Sequence, residues 1–170
     1  MGKNSAGFLL IEASLTTFLI ATTMMALIIV FVVTMRANVQ NESTAIATNL
    51  SLRMMEEIRL RRWDDQTPTP SDYTRRRSAI GTDAGETASD KTTFDDIDDF
   101  NGWLETKPLD PMMRPIAGFD QFSTSVTVKY VNMGTLAPLS NGTTDFKLVS
   151  VCTWSARRKS VCLDTIIGNH

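Results

Sequence analysis

GFLLIEASLTTFLIATTMMALIIVFVVT, residues 7–34, is apolar, small or hydroxylic at every position except Glu12. From Ala13 to Val33 there are 21 residues without a formal charge, enough to cross a hydrocarbon core of about 30 Å as a helix. A cleavable secretory signal has a shorter apolar core of about 7 to 15 residues before a small-residue cleavage site. Here the run is longer and continues straight into Met35 and Arg36. Lys3 and the amino terminus favour a cytoplasmic start, so the bulk of the chain is expected on the far side of the membrane, although Arg36 weakens the asymmetry.

A carboxylate in such a segment is costly, roughly 2.5 to 3.5 kcal/mol at the centre of a spanning helix and less near its end. Snorkelling to the headgroups is the plain explanation for Glu12. Its setting argues for more. A short polar leader with one lysine, Met1 to Ala6, precedes Gly7, then Phe8, three aliphatics and the acid.

This arrangement resembles the prepilin signature of type IV pilins and type II secretion pseudopilins. The resemblance implies that prepilin peptidase cuts between Gly7 and Phe8 on the cytoplasmic face and methylates the new Phe8 amine. It also implies a pilin-like α+β fold, with one long N-terminal helix packed on a C-terminal antiparallel sheet and a long αβ-loop between them. Leu9 departs from the threonine often found there, and no helix-kinking proline occurs between Phe8 and Trp63. The physical role of Glu12 follows from the cut. Opposite charges attract strongly in a dry bundle, and one left unpaired there costs several kcal/mol. The Glu12 carboxylate of one subunit can therefore meet the Phe8 amine of its neighbour and set the axial register of assembly.

Beyond the bilayer the helical pattern continues. Val39, Ile46, Leu50, Met54 and Ile58 recur at spacings of seven and four, with Ala45, Leu52 and Met55 nearby. One helix from Phe8 to about Arg62 would reach roughly 80 Å at 1.5 Å per residue. The expected layout is a leader at 1–7, the transmembrane and assembly half of the helix at 8–35, its exported half at 36–63, a long loop region at 64–120 and an antiparallel sheet at 121–170.

Within the loop region, Asp64 to Thr93 has neither helical nor strand periodicity. TFDDIDDFNGWLE then places Asp95, Asp96, Asp98 and Asp99 beside Asn101 and Gly102. Hard oxygen ligands at this density raise calcium, with those four aspartates and Asn101 as candidate ligands. The EF-hand spacing fails, because it would put Ile97 and Pro108 at two obligatory ligand positions. The alternative is a structured acidic loop in which Phe94, Phe100 and Trp103 anchor to the core while the carboxylates accept backbone hydrogen bonds. MMEEIRLRRWDD together with FDDIDDFNGW also resembles minor pilins of the mannose-sensitive haemagglutinin class, MshD-type. That likeness implies a minor rather than a major subunit. The terminal strands equally suit I- and V-type pseudopilins, and these subfamilies stay unseparated.

Strand periodicity appears at Phe122, Val126, Val128 and Tyr130, which alternate with Ser123, Ser125, Thr127 and Lys129. DFKLVSVCTW and SVCLDTII then flank SARRK as an antiparallel hairpin. If Cys152 faces Cys162, Val151 pairs with Leu163 and Val149 with Thr165. A cross-strand disulfide is the preferred state in an oxidising compartment, with two reduced buried thiols as its alternative.

Composition narrows the function. Net charge is −2, from 17 basic and 19 acidic residues, so no global charge favours phosphate binding and no nucleic-acid partner is expected. The clusters Arg75–Arg77 and Arg157–Lys159 read as solvated loop charge. The only histidine is His170, which removes most nucleophilic and acid–base arrangements, and no enzyme is expected. No cofactor is expected apart from the calcium question. Expected partners are prepilin peptidase, other pilin or pseudopilin subunits, the inner-membrane assembly platform and the bilayer. Expected localisation is the inner membrane with an exported C-terminal domain, then a pilus or pseudopilus in the periplasm or at the cell surface. The competing reading is a membrane-anchored binding module or pilus-associated adhesin that does not polymerise.

Overall fold

The computed structural model describes residues 5–64, 79–155 and 158–169. The leader residues 1–4, the loop residues 65–78 with Arg75–Arg77, Arg157 of the second basic cluster, and His170 lie outside it. The element order is one helix, α1 (Ser5–Arg59), a 3₁₀ turn (Asp98–Phe100) and four strands, β1 (Leu104–Glu105), β2 (Phe122–Tyr130), β3 (Phe146–Ser155) and β4 (Arg158–Gly168). The sheet is antiparallel in the order β1-β2-β3-β4. The chain divides into two compact units, Met1–Ser43 and Thr44–His170.

In the second unit the end of α1 packs on the sheet through Ala47, Leu50, Met54, Met55 and Ile58, all buried. The buried stripe is narrower than the sequence periodicity suggests, since Val39 and Leu52 are exposed and so is Ala45. It also contains a polar residue. Ser51 is fully buried because its hydroxyl donates to Thr153 Oγ1 at 2.8 Å, and Thr153 in turn meets Thr124 Oγ1 at 2.9 Å. This relay joins the helix to β3 and β2 without stranding a buried hydroxyl, whose desolvation would otherwise cost about 1 to 3 kcal/mol.

The helix stops at Arg59, three residues before the expected end. No glycine or proline stops it. The amide of Arg61 bonds the Ile58 carbonyl at 3.0 Å, tightening the last turn. Arg62 then leaves the helix for a parallel bridge with Asp96, donating to Asp95 O at 3.2 Å and accepting from Ile97 N at 3.0 Å. Tertiary pairing with the acidic segment thus outcompetes three more residues of helix.

β2 alternates as its sequence indicates, with Phe122, Thr124, Val126, Val128 and Tyr130 buried. Val151 pairs with Leu163 and Val149 with Thr165 across the β3–β4 hairpin, around Cys152 opposite Cys162. The sheet differs from the expected layout at one edge. β1 arises inside the stretch read as loop, pairing Leu104 with Ser125 and Glu105 with Thr124. Two residues carry no readable periodicity. The chain reaches this strand through Gly102, whose φ of 83° lies in the left-handed region where only glycine sits without steric cost.

Candidate functional site

Every described side chain from Leu9 to Glu42 is exposed. Contiguous apolar surface on this scale is unsuited to water, so the segment needs a bilayer or other helices around it. The helix is long and apolar enough to cross a membrane. Its hydroxyl groups are adapted to such surroundings: Thr16 Oγ1 donates to Glu12 O at 2.8 Å, Thr17 to Ala13 O at 2.9 Å and Thr23 to Leu19 O at 3.0 Å. Ser14, Thr22 and Thr34 likewise bond back to carbonyls of the preceding turn. With its donors closed internally, the segment from Phe8 to Met35 retains one formal charge, Glu12. No side-chain hydrogen bond or ion pair joins Glu12 to another described residue. The backbone of Gly7 and Phe8 is already helical.

In the second unit, two lysines missed by sequence reasoning organise the acidic segment and its surroundings. Lys147 on β3 is fully buried. Its ammonium donates to Asp98, to Trp63 O at 2.7 Å and to Asp64 Oδ2 at 3.4 Å, and lies 4.1 Å from the centroid of the Trp63 ring. Burial, followed by the nearby charges of Asp64 and Asp98, pushes the Tyr130 hydroxyl well above the usual phenol range, so it remains a donor to Asp64. Lys91, also fully buried, donates to Glu105 Oε1 at 2.7 Å, Glu57 Oε2 at 3.2 Å and Leu109 O at 3.3 Å. The signal for Lys147 was present, because period two puts it on the same face as Val149 and Val151. Lys91 sits in an aperiodic loop and had none.

The five sequence candidates for calcium do not converge. Asp98 is committed to Lys147. Asp96 Oδ1 accepts the amides of Asp98 and Asp99 at 2.9 and 3.3 Å, while Asn101 Oδ1 accepts from Val128 N at 3.0 Å. Asp99 Oδ2 accepts from the amides of Asp95 and Asp96, both at 3.0 Å. Asp95 pairs with Arg62. Phe94 packs edge-on to Phe100 and Trp103, with ring centroids 5.0 and 5.5 Å apart, and all three are buried. The segment is thus an aromatic anchor with capped amides. Only Asp95 and Asp99 remain near a common point, joined there by Glu86, which the sequence had not singled out.

Cys152 and Cys162 form a disulfide across β3 and β4, as the hairpin register anticipates. No family model matches this chain, and no match is found among curated proteins or among solved structures.

Proposed function

We propose that the chain is a structural minor pilin or pseudopilin subunit with no catalytic role. In this reading prepilin peptidase cuts between Gly7 and Phe8 and methylates the Phe8 amine. The apolar half of α1 first holds the chain in the inner membrane. It then passes through the assembly platform into the helical core of a type IV pilus or type II secretion pseudopilus, with the C-terminal domain exported and facing outward. The observation that carries this is Glu12, the single formal charge of the apolar segment 8–35 of α1, without a side-chain partner among the described residues.

Helices in lipid gain little from the hydrophobic effect on associating, because tails and side chains are equally apolar. A charge pair supplies what apolar packing lacks, a preference for one axial register. The new amine at Phe8 and the acid at Glu12 lie on the same helix near one end, so a neighbour displaced along the axis brings one to the other.

Expression of the full chain in a host with an active prepilin peptidase tests this. Intact mass of the membrane-extracted protein should equal residues 8–170 plus one methyl group, and a Gly7 substitution should retain the leader. Glu12→Ala should still be cleaved and inserted yet be missing from purified filaments. A mature chain that starts at Met1, or Glu12→Ala incorporated as well as the wild type, refutes the reading and leaves the anchored binding module.

A further inference from the structure

We propose that Glu86, Asp95 and Asp99 form a binding site for a hard divalent cation, Ca²⁺ in preference to Mg²⁺, that staples the loop around Glu86 to the acidic turn. The site uses residues of the second unit alone and stands independently of filament assembly.

One carboxylate oxygen from each residue lies within 4.8 Å of the other two. Oxygens bound to one Ca²⁺, each about 2.4 Å from the ion, are at most about 4.8 Å apart, so three oxygens this close can share one ion. An all-carboxylate set selects hard cations over zinc or copper. Two of the acids are held unusually close to one donor: Asp95 N is shared by Asp99 Oδ2 at 3.0 Å and Glu86 Oε1 at 3.3 Å. Two carboxylates on one amide repel unless a cation or a proton lies between them.

The second observation is independent of that clustering. Asp99 is 2% exposed, and its other oxygen, Oδ1, is buried with no hydrogen-bond partner. In the same turn Asp96 Oδ1 accepts two amides and Asp98 Oδ1 accepts from Lys147, whereas no donor among the described residues reaches Asp99 Oδ1. Once ionised, a buried carboxylate oxygen without a partner is costly, and a bound cation removes that cost.

Approach and charge balance also fit. Glu86 is half-buried and Asp95 exposed, leaving an open side for entry and for the waters that complete a shell of six to eight oxygens. Arg62, on Asp95, is the cation already at the rim, offsetting one of three negative charges. The Glu86 end is preshaped by a turn in which Asp83 N donates to Glu86 Oε2 at 2.8 Å and Glu86 N to Asp83 O at 3.2 Å.

The test is calorimetric titration of the full chain in a zwitterionic detergent, stripped of metal with a chelator and dialysed. Wild type is expected to bind one Ca²⁺ with a Kd on the order of 10⁻⁴ M, the range of exported modules. Glu86→Gln and Asp99→Asn should each weaken it at least tenfold, and Ca²⁺ should raise the thermal midpoint of wild type but not of the variants. Asp120→Asn, at an exposed acid elsewhere, should bind like wild type. No binding at about 10 mM Ca²⁺, tighter binding of Mg²⁺, or equal binding by Glu86→Gln would each overturn the proposal. Should Asp99→Asn fail to fold by circular dichroism, Glu86→Gln decides alone.

Discussion

The buried ammonium of Lys147 on β3 is bonded to the buried carboxylate of Asp98 in the 3₁₀ turn, across 49 residues of sequence. With Asp64 and the Trp63 carbonyl on the same nitrogen, one side chain holds the chain after α1, the acidic turn and the sheet together. A charge so placed is favourable only with its surrounding acceptors in position, so the contact is a test of correct assembly as much as a source of stability.

Lys147→Met should therefore be among the most damaging single changes in the second unit. It keeps volume but removes the ammonium that Asp64 and Asp98 share, and a loss of about 3 to 5 kcal/mol is expected for breaking a buried pair from one side. The double variant Lys147→Met, Asp98→Asn should recover part of it. Urea unfolding of the full chain in detergent, followed by tryptophan fluorescence, measures both. A single variant within about 0.5 kcal/mol of wild type, the usual range of surface changes, would show that the pair has no net role.

Removing the disulfide should weaken the protein without erasing its hairpin. Cys152 and Cys162 are 10 residues apart, and closing so short a loop contributes roughly 2 to 3 kcal/mol through the unfolded chain. The register is separately specified by the buried face of β3 and the half-buried face of β4. The Cys152→Ala, Cys162→Ala double variant should lose about that much yet keep its sheet signal by circular dichroism. Loss of the sheet would mean the crosslink sets the register.

In the presence of a chelator, the acid pair should leave a pH signature. Burial first, then the neighbouring Glu86 carboxyl, pushes the Asp99 carboxyl from 3.8 up to about 7, against the lowering effect of the Asp96 and Asp95 amides. Between those two values the folded chain holds a proton that the unfolded chain has released. Stability from this group is present at low pH, falls as pH rises through the window and is flat above it. Glu86→Gln removes the opposing carboxylate and should shrink that fall. The informative quantity is the difference in urea midpoint between wild type and Glu86→Gln from pH 4 to 8, and a difference independent of pH would contradict it.

How much of this was legible depends on the range of the interaction concerned. The apolar run, the helix that follows it, the alternation of β2 and the β3–β4 pairing are patterns of period 3.6 or 2, and a residue's place in them depends on neighbours a few positions away. Lys147 belonged to such a pattern and was still passed over, since a lysine on a buried face makes sense only with its partners in view. The acidic segment was noticed for its density of charge. Density does not say where each carboxylate points.

Sequence alone determined that a lone acid sits in a membrane-length helix and that an amphipathic stretch follows it, and it made a facing pair of cysteines the preferred arrangement. These are consequences of local geometry and solvent preference. Only the tertiary structure decided that Asp98 serves Lys147, that Arg62 leaves the helix to pair beside Asp96, and that Glu86 arrives at Asp95 and Asp99. Each needs segments far apart in the chain to pack first, because a buried charge takes its partner from whatever the fold brings within reach.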